Sequence, residues 1–238
     1  MSKKDERRQR RQAEARRRQL TLIGGIVIVA VAIVAWIVWQ NNKPIGEIVS
    51  IPTQTYAQAN GKTLGDPAAP VTIILFSDFQ CPICKVFADN VEKQVLATYV
   101  DTGRAKLEYH HYIVIDGNVG GSESRDAAEA SECANDQGQF WNFHDLLYAN
   151  QGAREGGGAF TIRRLKAMGA GMGLDSATFD ACVDSSQHAD LVRADEALAL
   201  QYGVNGTPSV FINNNQNKVS NPNDIAEIDR LITLQEQQ

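Results

Sequence analysis

Residues 20–39, LTLIGGIVIVAVAIVAWIVW, are twenty positions without a charge. At about 1.5 Å per residue a helix of that length spans about 30 Å, the thickness of a bilayer's hydrocarbon core. Trp36 and Trp39 stand at its distal end, where aromatic rings favour the membrane interface. Residues 1–19 before it carry nine Lys or Arg against three acids, a local charge of +6. The net charge of -5 therefore conceals -11 in the remainder of the chain. A basic tail on an acidic body can signal nucleic-acid binding, but a basic flank on a spanning helix is the usual cytoplasmic orientation signal. A cleaved signal peptide is the rival reading. Its apolar region runs about 7–15 residues, with a small-residue cleavage site soon after. Here the nearest A-x-A, Ala57-Gln58-Ala59, lies far downstream. The expectation is a retained single-pass anchor in the cell membrane, N-terminus cytoplasmic, with everything from residue 40 outside.

An extracytoplasmic body meets an oxidising compartment in which disulfides persist. The chain holds four cysteines, a close pair at Cys81 and Cys84 and a distant pair at Cys133 and Cys182. Its 43% apolar and 21% charged residues are those of an ordinary globular protein. Residues 40–64 are polar, carry Pro44 and Pro52, and read as a tether, with a short strand possible in principle at 47–51. Pro67 and Pro70 then punctuate the start of a domain over 65–238. Residues 71–76 form a β-favouring run of the kind covered on both faces. Apolar spacing predicts a helix over 84–98, and strand character returns at 105–115. Residues from about 122 to 202 are helical throughout, strand character resumes at 208–213, and a last helix covers 223–234, capped by Asn221 or Asn223. The order is β-α-β, an all-helical insertion over about 120–203, then β and α. This is an α/β class fold with helices packed on a sheet.

Three readings compete for Cys81 and Cys84, which follow directly on the buried strand. At a helix N-terminus the first thiol meets unpaired backbone N–H groups and the positive end of the macrodipole, and both favour thiolate. Pro82 suits the first helical turn, where no N–H partner is needed. A thiolate there is a nucleophile for disulfide exchange, with Cys81 exposed to attack and Cys84 one turn inside to resolve. Structural zinc wants four ligands, often as two close pairs. Cys133 and Cys182 stand alone, and adjacent His110-His111 is poor chelating geometry on a strand, so no metal is expected. A purely structural bridge closes so short a loop that it constrains the unfolded chain little.

FSDFQCPIC after a buried strand, with Gly206-Thr207-Pro208 before a late strand, resembles the DsbA-like thiol:disulfide oxidoreductases. Those proteins have a thioredoxin fold with a helical insertion. The resemblance covers about residues 65–234, and SECANDQGQFWNFHDLLYANQ is similar to the insertion of membrane-anchored bacterial members. It implies Cys81 as nucleophile, Cys84 as resolving partner, and Thr207-Pro208 as a cis-proline turn beside them. A substrate strand can pair there by edge addition. It implies a second, structural disulfide between Cys133 and Cys182, against the alternative of two free apolar thiols.

Pro82, Ile83 and Asp78 flank the pair, and two departures stand out. Many relatives carry histidine where this chain has Ile83, which predicts a weaker oxidant. Relatives often have a buried acid six residues before the first cysteine, where this chain has Leu75, and Asp78 is the one nearby acid.

The function implied is disulfide introduction into newly exported cysteine-containing proteins. No bound cofactor is needed, and reoxidation falls to a quinone-linked membrane partner of the DsbB or vitamin K epoxide reductase type. Two alternatives stay open: a reductase or isomerase using the same residues, and a tethered chaperone-like or docking module whose cysteines are only structural. Other features read as structural. Residues 152–158, GAREGGG, suggest a flexible connector, and 169–173, GAGMG, a helix-breaking turn. Phe140, Trp141 and Phe143 are expected in the core, and His144 and His188 at the surface or as caps.

Overall fold

The computed structural model describes residues 3–42, 44–56, 58–214 and 216–237, with backbone alone at 3–15, 40 and 41. The chain divides into two units, Met1–Gly46 and Glu47–Gln238. In the first, one continuous helix (α1, Lys3–Asn41) joins the basic stretch to the apolar one. Its segment Arg16–Trp39 is long and apolar enough to cross a membrane, and its described side chains are exposed. Thr21 returns its hydroxyl to the carbonyls of Arg17 and Arg18 at 2.9 Å, so the one hydroxyl of the apolar stretch is satisfied within the helix.

The second unit is built on a four-stranded sheet of β1 (Thr63–Leu64), β2 (Val71–Ser77), β3 (Ala105–His111) and β4 (Ser209–Ile212). The order is β1-β3-β2-β4. β2 and β3 run parallel, with Leu75 opposite Tyr109, while β4 pairs antiparallel to β2 and β1 antiparallel to β3. A parallel pair needs a crossover. α2 supplies it: Pro82–Val86 in α form, then Phe87–Glu92, Lys93–Val95 and Leu96–Val100, in which wider π turns alternate with α turns.

β2 shows why an unbroken apolar run belongs at the centre. Ile73 and Leu75 face the main core with α2 and the last helix (α9, Ile225–Glu236), through Val91, Val95, Ile228 and Ile232. Ile74 and Phe76 point the other way, into a smaller cluster with Ala199, Val204 and Phe211. Alternate side chains of one strand thus feed two cores.

Between β3 and β4 lie only helices: α3 (Ile115–Val119), α4 (Glu123–Asn135), α5 (Phe140–Ala149), α6 (Ile162–Gly171), α7 (Ser176–Asp184) and α8 (Ala189–Gln201). Phe140, Trp141 and Phe143 are buried. Cys133 of α4 is bridged to Cys182 of α7, with Cα atoms 5.8 Å apart and a sequence separation of 49. A loop of that length is worth about 4 kcal/mol on the chain-entropy model.

Several local expectations are corrected. The tether ends sooner than its composition suggests, because residues from Glu47 belong to the folded unit. Residues 47–51, all described, form no strand. Two asparagines of the insertion act as partners instead: Asn150 takes Val49 N–H at 2.8 Å and gives to Val49 O at 2.9 Å, and Asn142 pairs likewise with Gln54. Ile48, Ile51 and Tyr56 pack on the core behind these bonds. β3 stops at His111, since Val114 and Ile115 turn their N–H groups to Asp78. α9 is capped by Asp224, which accepts from Ala226 N, and neither Asn221 nor Asn223 takes that place.

Gly169 lies inside α6 rather than in a turn, and a Cβ there would come within 2.6 Å of the Phe179 ring. The GAREGGG segment is tied down, with Gly156 N–H on Gln80 and Gly158 N–H on Glu123. His144 is fully buried, its Nδ1 3.0 Å from Asp145 and its Nε2 3.7 Å from Glu92. His188 stands at the N-cap position of α8, 2.7 Å from Asp136.

Candidate active site

β2 delivers the chain into a tight turn whose anchor is Asp78. Its Oδ1 accepts from Gln80 N–H at 2.9 Å, and its Oδ2 accepts from Val114 N–H and Ile115 N–H at 2.9 and 3.0 Å. Cys81 N–H closes the turn on Asp78 O at 3.0 Å. The carboxylate is 1% exposed and fully engaged in backbone bonds, so its work is to fold the turn. The strand ends at Ser77, one residue too early for strand alternation to decide where Asp78 points.

Cys81 is the N-cap of α2, with Pro82 at the first helical position. The first-turn N–H groups have no intrahelical acceptor and aim at the cap. The Cys81 thiol is pulled down to about 6 by a hydrogen bond from Cys84, against the opposing effect of burial, with help from Thr207 and the backbone N–H groups of Cys84 and Ile83. Cys84, one turn on and 1% exposed, is pushed well above the ordinary thiol range by burial and by the neighbouring Cys81. The two thiols, unbridged here, are pushed in opposite directions.

Cys81 is less open than expected, at 6% exposed. Thr207 covers it: the peptide bond Thr207-Pro208 is cis, and Cys81 Sγ lies 3.4 Å from Thr207 O. Around this cover the surface is apolar. Ile83 and Val86 are 56% and 51% exposed on the first turns of α2, and their apolar side chains bring neither a charge nor a hydrogen bond to the sulfurs.

Residues that the sequence left unmarked fasten this turn to the insertion. Gln151 donates to Phe79 O at 2.7 Å and Cys81 O at 3.0 Å. Gln80 donates to Asp116 and Ser124, both at 2.9 Å. Lys85 donates to Tyr148 O at 2.7 Å. Ser77 and Tyr148 join their hydroxyls at 2.7 Å, and both are buried, as is Tyr109. His144 and Tyr148, four apart on one helix face, bring their ring centroids to 4.9 Å, but that spacing carries no sign of what else lies beside them.

His110 and His111 point to opposite sides of β3, as adjacent strand residues do. His110 Nδ1 is 2.8 Å from Asp195, and His111 Nε2 is 3.2 Å from Glu132. The Lys62 ammonium sits between those two carboxylates, paired with Glu132 at 2.8 Å and with Asp195. These groups form a buried ion network that joins β3 to α4 and α8.

A thioredoxin family model matches residues 58–233, most of the chain. The chain belongs to the thioredoxin family. Disulfide bond formation protein D of Bacillus subtilis is 29% identical over 161 residues, 63% of this chain and 66% of that protein, so the match spans about two thirds of the relative. The crystal structure of oxidised BdbD from Bacillus subtilis superposes with a TM-score of 0.67 at 27% identity, over 75% of this chain and 94% of that one. Wolbachia pipientis alpha-DsbA1 shares the fold at a TM-score of 0.63 and 23% identity, over 76% and 94%. The architecture is the DsbA-like thioredoxin fold with its helical insertion.

Proposed function

We propose that this protein is a thiol:disulfide oxidoreductase that introduces disulfides into exported proteins through Cys81 and Cys84. The observation that carries the reading is the split between the two thiols. Cys81, at the helix cap and beside Thr207-Pro208, is drawn down to about 6, while burial pushes Cys84 well above the ordinary thiol range. A substrate thiolate attacks Cys81 of the oxidised pair, a mixed disulfide forms, and a second substrate thiol displaces Cys81 as a good leaving group. The names of the relatives support this chemistry.

Direction follows from the same acidity. The more a protein stabilises its thiolate, the more it favours its reduced form and so oxidises others. A value of about 6 lies between thioredoxin at about 7 and DsbA at about 3.5. A lowered Cys81 supports an oxidant, and Ile83, where a charged or hydrogen-bonding side chain would stabilise the thiolate further, favours a weaker one.

Arg16–Trp39 serves as a single-pass anchor, with the basic N-terminus cytoplasmic and Glu47–Gln238 outside. Exported cysteine-containing chains are then the substrates. Reoxidation falls to a membrane partner that passes electrons to quinone, of the DsbB or vitamin K epoxide reductase type.

The test is Cys84→Ala in the full chain. The variant should accumulate mixed disulfides between Cys81 and exported proteins, visible as reducible high-mass bands. A variant with no such adducts, while wild type turns over a dithiol peptide, would remove Cys81 from the proposed role.

A further inference from the structure

The bridge between Cys133 and Cys182 has two further side chains beside it. Asp136, the C-cap residue of α4, follows Cys133 by three positions, so both lie on one helix face. His188, at the N-cap position of α8, follows Cys182 by six. The chain doubles back between them: Gln187 N–H returns to Cys182 O at 3.2 Å, and Ser186 takes a left-handed φ of 48°. That turn carries His188 back to the bridge. Its Nε2 lies 2.7 Å from Asp136 Oδ2, and the same carboxylate oxygen lies 3.9 Å from Cys182 Sγ. Donor atoms of Cys133, Cys182 and His188 all fall within 4.8 Å of one another.

A disulfide needs neither an imidazole nor a carboxylate at its side. An exposed ion pair also contributes little by itself, and the Asp136 side chain is 40% exposed. What the four side chains share is their chemistry. Thiolates, imidazole and carboxylate are the donors that tetrahedral zinc takes, whereas calcium and magnesium take oxygen. The spacing agrees: Cys-x2-Asp at 133–136 and Cys-x5-His at 182–188 are two short ligand pairs, with gaps in the range of about two to five residues usual in structural zinc sites. Both cysteines also sit in the last turn of a helix, α4 and α7, where the negative end of the macrodipole favours a cation.

We propose that Cys133, Asp136, Cys182 and His188 form a zinc site that opens when the bridge is reduced. The site is independent of the chemistry at Cys81 and Cys84. A dithiol gives two electrons and two protons to the bridge, becomes a disulfide itself, and leaves two thiols on the chain. Zinc(II) takes both sulfurs as thiolates and displaces those two protons to solvent. The ion also replaces the proton between His188 Nε2 and Asp136 Oδ2, and the neutral ring then carries its proton on Nδ1. On reoxidation a disulfide oxidant accepts two electrons from the sulfurs and two protons from solvent, the bridge reforms and the ion leaves.

Tetrahedral zinc with Zn–S of about 2.3 Å holds its sulfurs about 3.8 Å apart, a separation that Cα atoms 5.8 Å apart allow. Zinc thus ties α4 to α7 in the reduced chain where the bridge ties them in the oxidised one. Every chain is synthesised with free thiols, so the reduced state comes first. The binding energy of a structural zinc goes directly into folding.

The experiment uses the full chain in detergent carrying Cys81→Ser and Cys84→Ser, which leaves Cys133 and Cys182 as its cysteines. A water-soluble phosphine reduces the bridge, the phosphorus taking its oxygen from water, and cobalt(II) is the probe. The reduced chain should bind one equivalent with the intense visible absorption of tetrahedral, thiolate-bound cobalt, and zinc should displace it. The oxidised chain should show no such absorption. His188→Ala and Asp136→Asn should each weaken binding by about tenfold or more. Zinc should raise the Tm of the reduced chain by several degrees and leave that of the oxidised chain unchanged. A bridge that the phosphine leaves closed, or a reduced chain without the absorption, overturns the proposal. So does unaltered affinity in both ligand variants, since the sulfurs alone would then hold the ion. Asp136→Asn keeps the shape of an exposed side chain and decides the matter alone if His188→Ala does not fold.

Discussion

At the scale of single residues, two identical thiols three positions apart behave oppositely. Cys81 has a sulfur at a helix cap with donors around it, and Cys84 has burial and a negative neighbour. Alkylation of the reduced protein by iodoacetamide should therefore rise with pH about a midpoint near 6 and label Cys81 alone, as peptide mapping would show. Labelling of Cys84 below pH 8, or a midpoint in the ordinary thiol range, would contradict this. The helix-cap placement of Cys81 was legible in the sequence, because Cys-Pro-x-Cys after a β run marks a strand-to-helix turn. The Thr207 cover was legible only through a family resemblance, since 126 residues separate it from Cys81. Ser77 and Tyr148 were not legible at all. A serine at a strand end and a tyrosine in an aromatic helix carry no local sign that they meet.

Among the elements, the α6–α7 contact shows a composition cue that is right about a break but early in placing it, since the turn comes at 172–173 with Gly173 at a φ of 83°. Three glycines within 169–173 look like a broken helix, yet α6 runs on through Gly169 so that Phe179 of α7 can lie against its backbone. Gly169→Ala would bring a Cβ within 2.6 Å of a fully buried ring and should cost about 1–3 kcal/mol, as overpacking does. Thermal unfolding of the variant checks this, and a Tm within a degree of wild type would mean the ring has room to shift. The strands were better marked. β2 lies where an unbroken apolar run put it, because burial on both faces leaves no place for alternation. β1 was invisible at two residues. Its pairing depends on β3 lying beside it.

For the whole molecule, the insertion is held to the sheet by charge as well as by apolar contact. Burial works against the ionisation of Glu132, but its hydrogen bond to His111 and the charges of His111 and Lys62 hold it down to about 2. A carboxylate whose pKa is lower folded than unfolded contributes stability above the unfolded value, and that stability is lost as pH falls through the folded one. The domain should therefore lose stability between about pH 5 and pH 2, by about 3 kcal/mol from this group. Glu132→Gln should flatten that slope in denaturant titrations, and an unchanged slope would exclude the group as its source. The segment after Gly46 also belongs to the domain. A chain beginning at Glu47 should unfold at the same temperature as the full chain. One beginning at residue 65 should unfold several degrees lower, because Val49, Gln54 and Tyr56 no longer satisfy Asn150, Asn142 and Asp145. Equal midpoints for the two would show the segment to be a tether after all.

What the chain's order of residues determined was whatever depends on near neighbours: a spanning stretch, a central strand, a proline-started helix with a sulfur at its cap, and an all-helical insertion. Periodicity and the first turn of a helix are local properties, and neighbours along the chain set them. What only the tertiary structure decided was which distant groups converge on the sulfurs. Thr207 covers one, Gln151 clamps their turn, and the Ser77 hydroxyl at the end of β2 meets Tyr148 from the insertion. Those placements follow from three-dimensional packing, where a fully buried polar atom must find a partner wherever the fold can bring one.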